Sequence, residues 1–198
     1  EKFRVHALTT DKIIFFAENG RFFSVPANKL PSGRGFGEPI SLTIDVKGDN
    51  KIVSCFPYFE GSIILASESG HGFKIKTTNL VAQTKSGKQI LNVKDNNKAK
   101  ICKKIIGDTI AVVGNNRKLI TYSIEEVPEL NKGKGVILQR YKDGTLSDII
   151  TFKKEDGISW KMNGGRQRTE KDLLTWQGKR GGAGRMVPNG FPRPPLFN

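Results

Sequence analysis

The stretch IIFFAENGRFFSV, residues 13–25, decides the fold, because it recurs as IILASESGHGFKI at 63–75 and as IAVVGNNRKLITY at 110–122. Each copy consists of an apolar run, a turn dipeptide and a second strand-forming run. Gly and Asn tolerate the positive φ that tight hairpin turns require. A weaker copy, ISWKMNGG at 158–165, follows, so that successive turns lie 50, 46 and 49 residues apart. The chain is therefore a repeat of hairpins.

Each hairpin is followed by the same succession of elements. A short helical turn comes first, where Ser123 with Glu126 and Thr169 with Asp172 have the spacing of a capping box. A Gly-rich basic loop comes next, and two more strands complete the unit, for example ISLTIDV at 40–46 and KIVSCFPYF at 51–59. The four loops are Gly33-Arg34-Gly35, Lys85-Ser86-Gly87-Lys88, Lys132-Gly133-Lys134-Gly135 and Gly178-Lys179-Arg180-Gly181.

Four short strands in every 46 to 50 residues predict an all-β, propeller-like fold with one four-stranded blade per repeat. The chain of 198 residues then forms a single domain, 1–198, with repeats at roughly 1–60, 61–106, 107–156 and 157–198. The segment FRVHALT at 3–9 has the pattern of the last strand of a unit. Because the chain begins with Glu1 and carries no apolar leader, we expect it to be part of a longer protein.

The cysteines and histidines do not suggest a metal or disulfide site. Cys55 and Cys102 occupy the same strand of successive units, 47 residues apart, which is typical of a repeated core position. His6 and His71 stand in different contexts, so that we expect no metal site and a reducing, cytoplasmic setting. No apolar run reaches the 18 residues that a membrane-spanning helix needs, and we expect no membrane insertion.

Positive charge is concentrated in two stretches. The formal net charge is +14, and residues 71–104 and 161–198 together account for all of it. A field of this sign attracts polyanions such as nucleic acid. An RNA or single-strand binder would need exposed aromatic side chains for base stacking, whereas the aromatic residues here lie mostly within apolar strand runs.

Three blocks carry a family resemblance: NGRFFSVPANKLPSGRGFGEPI at 19–40, SGKQILNVK at 86–94 and NKGKGVILQRYKDG at 131–144. They resemble the carboxy-terminal domain of the A subunit of bacterial topoisomerase IV, which is related to the same domain in the A subunit of DNA gyrase. The resemblance implies a β-pinwheel, which is a bladed disc whose strands are exchanged between blades. It also implies a basic rim that bends duplex DNA.

The resemblance further implies a bacterial, nucleoid-associated role for an accessory domain that is not itself an enzyme. The domain would present DNA to the amino-terminal catalytic region of the same polypeptide, within a heterotetramer that also contains the ATPase subunits. That enzyme performs strand passage for relaxation, decatenation and chromosome segregation, and its ATP and magnesium belong to other parts. The isolated domain is expected to be monomeric and to need no cofactor. The alternatives are a gyrase-type wrapping domain and a propeller-like protein-interaction scaffold.

Two details limit what is carried over from the family. The family's nucleophile is a tyrosine after an arginine, but Arg140-Tyr141 lacks the neighbouring residues of that motif and sits in a repeated strand, which favours a structural aromatic. The gyrase branch carries a Q-R-R-G-G-x-G marker. Residues 179–184 match this marker only in part, because Gly178 separates Gln177 from them. They also lie in the last unit, whereas gyrase carries the marker in the first, which favours the topoisomerase IV branch.

The candidate DNA-binding residues follow from the basic loops. Gly lets the backbone approach closely and present N–H groups, while adjacent Lys and Arg neutralise phosphate charge. The first group comprises Arg34, Lys85, Lys88, Lys132, Lys134, Lys179, Arg180 and Arg185. A second group on strands and turns comprises Lys74, Lys76, Arg117, Arg140, Arg166 and Arg168.

Overall fold

The computed structural model describes residues 2–31, 33, 37–94, 96–162 and 164–197. These residues form strands joined by turns, with helix limited to single 3-10 turns. None of the described helices is long or apolar enough to cross a membrane. The strands are β1 Lys12–Ala17, β2 Arg21–Pro26, β3 Ile52–Pro57, β4 Ser62–Ser67, β5 His71–Lys76, β6 Lys88–Gln89, β7 Ala99–Lys104, β8 Thr109–Gly114, β9 Lys118–Ser123, β10 Val136–Ile137, β11 Leu146–Phe152, β12 Ile158–Lys161, β13 Gln167–Glu170 and β14 Arg185–Met186.

Three four-stranded sheets and one two-stranded sheet form in the described part of the chain. We call them blade 1 (β3-β1-β2-β6), blade 2 (β10-β5-β4-β7), blade 3 (β11-β8-β9-β14) and blade 4 (β12-β13). Every pairing within them is antiparallel. The all-β bladed fold is therefore confirmed, with two strands described in the fourth blade.

The outermost strand of each complete blade comes from the following repeat. Val136 of β10 pairs with Gly72 of β5, and Arg185 of β14 pairs with Leu119 of β9. The strand β6 likewise pairs with β2. Because each blade borrows a strand in this way, the sheets are linked as in a pinwheel, and a blade is not one contiguous segment.

The apolar faces of successive blades pack against each other. Ile14, Phe16 and Phe22 of blade 1 cluster with Leu65 and Phe73 of blade 2. The Phe16 and Phe22 rings are stacked with centroids 4.4 Å apart. The opposite face of blade 2 packs on blade 3, and blade 3 packs on blade 4. The repeating apolar runs thus supply both faces of each inner sheet, which is why they are fully buried.

The tight turns form where the sequence predicts them, although the third unit has an arginine at the position that glycine occupies in the first two. Gly20 and Gly70 close their turns with positive φ and donate to the carbonyls of Ala17 and Ser67. Arg117 takes the same position in the third unit, with φ 63°, and donates to the Gly114 carbonyl. Its side chain donates to the carbonyls of Phe191 (3.2 Å) and Pro192 (2.8 Å).

Three of the four predicted helical turns are confirmed, as 3-10 turns at Ala27–Lys29, Thr77–Asn79 and Ile124–Glu126. Ser123 caps the last of these by accepting from the Glu125 N–H at 3.2 Å, but the predicted capping box is not formed, because the Glu126 carboxylate accepts from the Arg180 N–H instead. The second predicted capping box is wrong, because Thr169 lies in β13 and its hydroxyl pairs with Ser159 across the hairpin at 2.8 Å.

Two predicted strands are not formed. Residues 3–8 are not in a strand, and the segment 40–46 begins with a 3-10 turn, Ile40–Leu42, in place of a strand. The segments that take this place in later repeats, β6, β10 and β14, pair with the preceding blade. No blade precedes blade 1 among the described residues, and segment 40–46 packs Ile44 against the outer face of blade 1 instead.

The cysteines lie at matching positions, as the repeat predicts. Cys55 of β3 pairs with Phe15, and Cys102 of β7 pairs with Leu65. Both are free thiols, and burial raises the pKa of Cys102 to about 12. Among the described residues, no three His, Cys, Asp or Glu side chains lie together as a metal ion would require.

Candidate nucleic-acid interface

The Gly-rich loops are the crossings between blades. Loop 2 (residues 84–88), loop 3 (131–135) and loop 4 (179–185) each carry the chain onto the outer edge of the preceding blade, where β6, β10 and β14 form. On the opposite edges of the sheets, β3 contacts β7 and β7 contacts β11. The loops therefore lie on the edges of the blades that face away from this inner row of strands.

A glycine at the end of each loop makes the crossing possible. Gly87, Gly135 and Gly184 have φ of 70°, 79° and 79°. A Cβ on Gly87 or Gly184 would lie 2.5 Å from the carbonyl oxygen of Phe22 or Leu119, and one on Gly135 would meet the Gly72 carbonyl in the same way. Only glycine combines this φ with such close approach to the neighbouring strand.

Strand pairing also aligns the fourth loop with the third. Val136 pairs with Gly72 and Arg185 with Leu119 at equivalent positions, so Gly184 is the counterpart of Gly135. Arg180 and Gly181 then correspond to Lys132 and Gly133. Loop 4 therefore contains one residue more than loop 3, within 179–184. The strand pairing shows this insertion, whereas the composition of the loops does not.

The loops are joined to one another by backbone hydrogen bonds. The chain that leaves one crossing pairs with the next loop: the N–H of Asp45 donates to the Lys85 carbonyl (2.9 Å), that of Asn92 to the Gly133 carbonyl (2.8 Å) and that of Arg140 to the Gly182 carbonyl (3.2 Å). Equivalent bonds at each step place the loops in one continuous row. This row of crossings is the candidate interface.

Six of the first group of basic residues are exposed: Lys85, Lys88, Lys132, Lys134, Lys179 and Arg185. The Lys88 Nζ donates to the Asn79 carbonyl at 2.8 Å. Arg180 is half-buried, and its guanidinium donates to the Ile137 carbonyl at 3.0 Å, so that it also fixes loop 4 to blade 2. Arg34, in the first loop, lies outside the described residues.

The second group divides by side-chain environment. Lys76, Arg140 and Arg166 are exposed. The Lys74 side chain is 13% exposed and its ammonium lies 3.5 Å from the Glu125 carboxylate. The Arg168 guanidinium donates to the Asn189 carbonyl at 3.1 Å beside Trp160.

Arg117, introduced above at its turn, is anchored most firmly of the second group. Burial, followed by the charge of Arg193, lowers the pKa of its guanidinium. Its contacts with the carbonyls of the carboxy-terminal segment give it a structural role in holding that segment on blade 3.

A further set of basic residues beside the loops is not found by the search for loop motifs. Arg21, His71 and Lys118 each begin the second strand of a hairpin, directly after the tight turn. The Arg21 guanidinium donates to the carbonyls of Ser86 (3.0 Å) and Gly87 (3.3 Å), which fixes loop 2. Burial and then the Lys134 charge lower the pKa of His71, which lies beside loop 3. The recurring basic residue after the turn is the signal in the sequence.

Tyr141 follows an arginine, as the family's catalytic tyrosine does, but it packs as a structural aromatic. A Cβ on Gly70 or on Gly114 would lie 2.6 Å from its ring, so the ring fills the space beside both glycines. Burial raises the pKa of its hydroxyl, which has no hydrogen-bond partner among the described residues. A buried neutral phenol is a poor nucleophile.

A family model described as "DNA gyrase C-terminal domain, beta-propeller" matches residues 11–58, 61–101 and 108–153. These three ranges follow the first three repeats and cover more than half of the chain. The chain belongs to this family. The match of this family model to the first three repeats confirms the family resemblance seen in the sequence.

The similar curated proteins are A subunits of DNA topoisomerase 4. The chain is 43% identical to the protein of this name from Rickettsia bellii over all of its own length, which is 27% of that protein. It is 44% identical to the Caulobacter vibrioides protein of the same name over 96% of its length and 25% of that protein's. The chain thus spans about a quarter of the length of these relatives.

Solved structures show the same fold. The E. coli ParC C-terminal domain superposes with a TM-score of 0.79 at 19% identity, covering 92% of this chain and 79% of that one. A DNA gyrase A C-terminal domain superposes with a TM-score of 0.65 at 14% identity, covering 91% of this chain and 61% of that one. The all-β bladed fold predicted from the repeats and the β-pinwheel that the resemblance implies are both confirmed.

Proposed function

We propose that this chain binds and bends duplex DNA along its row of crossings, as the accessory domain of a topoisomerase IV of which it forms part of the A subunit. The observation that carries the proposal is the hydrogen-bonded succession of loops 2, 3 and 4, each with exposed Lys or Arg at its outer surface. A series of positive sites on consecutive blades neutralises successive phosphates of a polyanion. The relatives named above support the assignment to topoisomerase IV rather than gyrase.

The free energy of DNA binding combines a favourable contribution from counterion release with the cost of bending the duplex. Smoothly bending a duplex of 20 to 30 base pairs by 40° to 90° requires on the order of 1 to 6 kcal/mol. Each phosphate neutralised by Lys or Arg releases condensed counterions, and about eight contacts supply more than this. Because such contacts are with the backbone, we expect little dependence on base sequence.

In the full enzyme, the domain would bring DNA to the amino-terminal catalytic region of the same polypeptide, in assembly with the ATPase subunits. Nothing in this role requires a cofactor within the domain, since ATP and magnesium would act elsewhere. The role would be cytoplasmic, at the nucleoid, and the domain would work as a monomer beside its own catalytic region. Its removal is expected to impair relaxation or decatenation and to leave cleavage chemistry intact.

Charge reversal in loop 2 tests the proposal. In Lys85→Glu with Lys88→Glu, two phosphate contacts are lost, and we expect duplex binding to weaken about fiftyfold at 100 mM salt and the salt slope to fall by about 2. Fluorescence anisotropy with duplexes of unrelated sequence provides the measurement. Equal losses on every duplex are expected.

A matched control removes the effect of net charge. Lys153→Glu with Lys154→Glu makes the same change on exposed residues of the connection between β11 and β12, which is not part of loops 2, 3 or 4. We expect less than about a fivefold loss from this variant, because exposed charges beyond a Debye length are screened. Retained affinity in the loop 2 variant, or an equal loss in the control, would remove loop 2 from the interface.

A further inference from the structure

The last residue of each short 3-10 turn lies beside the loop of the next repeat. These turns follow the second strand of each hairpin, and their last residues are Lys29, Asn79 and Glu126. Lys29 lines a cleft with Thr84 and Lys85 of loop 2. The Asn79 side-chain amide donates to Asn131 of loop 3 at 2.9 Å. The same structural position thus changes from basic to neutral to acidic along the row.

Glu126 contacts loop 4 through its carboxylate. Its Oε2 accepts from the backbone N–H of Arg180 at 2.9 Å. A backbone N–H beside Lys and Gly in such a loop is the kind of donor that binds a phosphate oxygen. In loop 4 that donor is taken by a carboxylate of the chain itself.

The hydrogen bond also fixes the position of the negative charge. A carboxylate held at Arg180 cannot swing away from a phosphate that approaches the exposed Lys179. Like charges at close range repel, and the repulsion is larger at a protein surface than in bulk water. At loop 3 the corresponding side chain is the neutral amide of Asn79, and at loop 2 it is the ammonium of Lys29.

We propose that Glu126 is a specificity-determining residue of the row, which occupies with a carboxylate the place at loop 4 that a DNA phosphate takes at the preceding loops. Duplex DNA then binds loops 2 and 3 more tightly than loop 4, so that the affinity for phosphate is lower at the loop 4 end of the row. This inference rests on the proposed function.

Removal of the charge tests the inference. Glu126→Gln keeps an acceptor for the Arg180 N–H and is expected to tighten duplex binding about threefold to tenfold and to steepen the salt slope by about 1, which corresponds to one additional phosphate contact. Glu155→Gln removes the same charge from an exposed position in the same repeat, in the connection between β11 and β12, and is expected to change affinity less than about twofold.

The reciprocal variant places a charge at loop 3. Asn79→Glu is expected to weaken binding about threefold to tenfold, whereas Thr78→Glu, on the exposed neighbouring residue, is expected to weaken it less than about twofold. Anisotropy titrations at several salt concentrations measure both pairs on the 198-residue chain, with circular dichroism to verify folding.

A double-mutant cycle tests whether Glu126 affects DNA binding at loop 4. Lys179→Gln should weaken binding less in the original chain than in the Glu126→Gln background, where a loss of about threefold to fivefold is expected, because only there is the carboxylate absent from the phosphate position at loop 4. Equal changes from Glu126→Gln and Glu155→Gln, or equal losses from Lys179→Gln in both backgrounds, would overturn the inference while leaving the proposed function intact. Failure of the unaltered chain to bind duplex DNA would overturn both.

Discussion

Raising the salt from 50 to 300 mM is expected to weaken duplex binding by about five orders of magnitude, since about eight neutralised phosphates give a slope of log K against log salt near −7. The residues expected to carry this dependence are the eight of the first group, which are Arg34, Arg180 and the six exposed Lys and Arg of loops 2, 3 and 4. Anisotropy titrations on one duplex of about 30 base pairs, at five or six salt concentrations within this range, give the slope directly.

Base sequence serves as the internal control of that experiment. Duplexes of equal length and shuffled sequence are expected to give affinities within about threefold of each other, because phosphate contacts carry no base code. The slopes should also agree, since the number of phosphates contacted is the same. Binding that stays constant between 50 and 300 mM salt would contradict the proposed mode of recognition.

Substitution of the crossing glycine in loop 3 is expected to destabilise the fold strongly. In Gly135→Ala, the residue must keep φ near 79°, and its Cβ would lie 2.5 Å from the carbonyl carbon of Gly72. Backbone strain and steric overlap are each of the order of 1 to 3 kcal/mol, so we expect the free energy of unfolding to fall by about 2 to 4 kcal/mol. Urea denaturation followed by circular dichroism measures the change.

Gly48→Ala separates strain from overlap. Gly48 also has a left-handed φ, 63°, but the nearest atom to its Cβ would be Asn50 Nδ2 at 3.9 Å. The expected loss is therefore about 1 kcal/mol, the ordinary penalty for a side chain at positive φ. If both variants lost the same stability, close approach of loop 3 to β5 would have no part in holding the exchanged strand.

Local features of the chain explain which predictions succeed. The hairpins form where apolar runs flank Asn19-Gly20 and Ser69-Gly70, because turn chemistry and alternation of burial act within a dozen residues. The short turn at Ile124–Glu126 also follows from its own sequence, with Ser123 as its cap. Even the matched positions of Cys55 and Cys102 follow from the repeat length alone.

Features that depend on distant partners are those where sequence reasoning fails. Segment 40–46 has the composition of a strand, yet the described residues contain no blade before blade 1 with which it could pair. Arg117 stands where other repeats have glycine, and the carbonyls of Phe191 and Pro192 compensate by binding its side chain. Thr169 has the spacing of a helix cap but belongs to β13, where Ser159 is its partner.

For the interface, the amino-acid sequence by itself determined that glycine and basic residues recur once per repeat, and hence that a repeated positive site exists. Only the tertiary structure decided that these sites are crossings joined in one row, that Gly184 is the counterpart of Gly135, and that Glu126 reaches Arg180 across 54 residues. The reason is physical: turns and burial periodicity are set by near neighbours, whereas strand exchange depends on which edge of another blade is free to form hydrogen bonds.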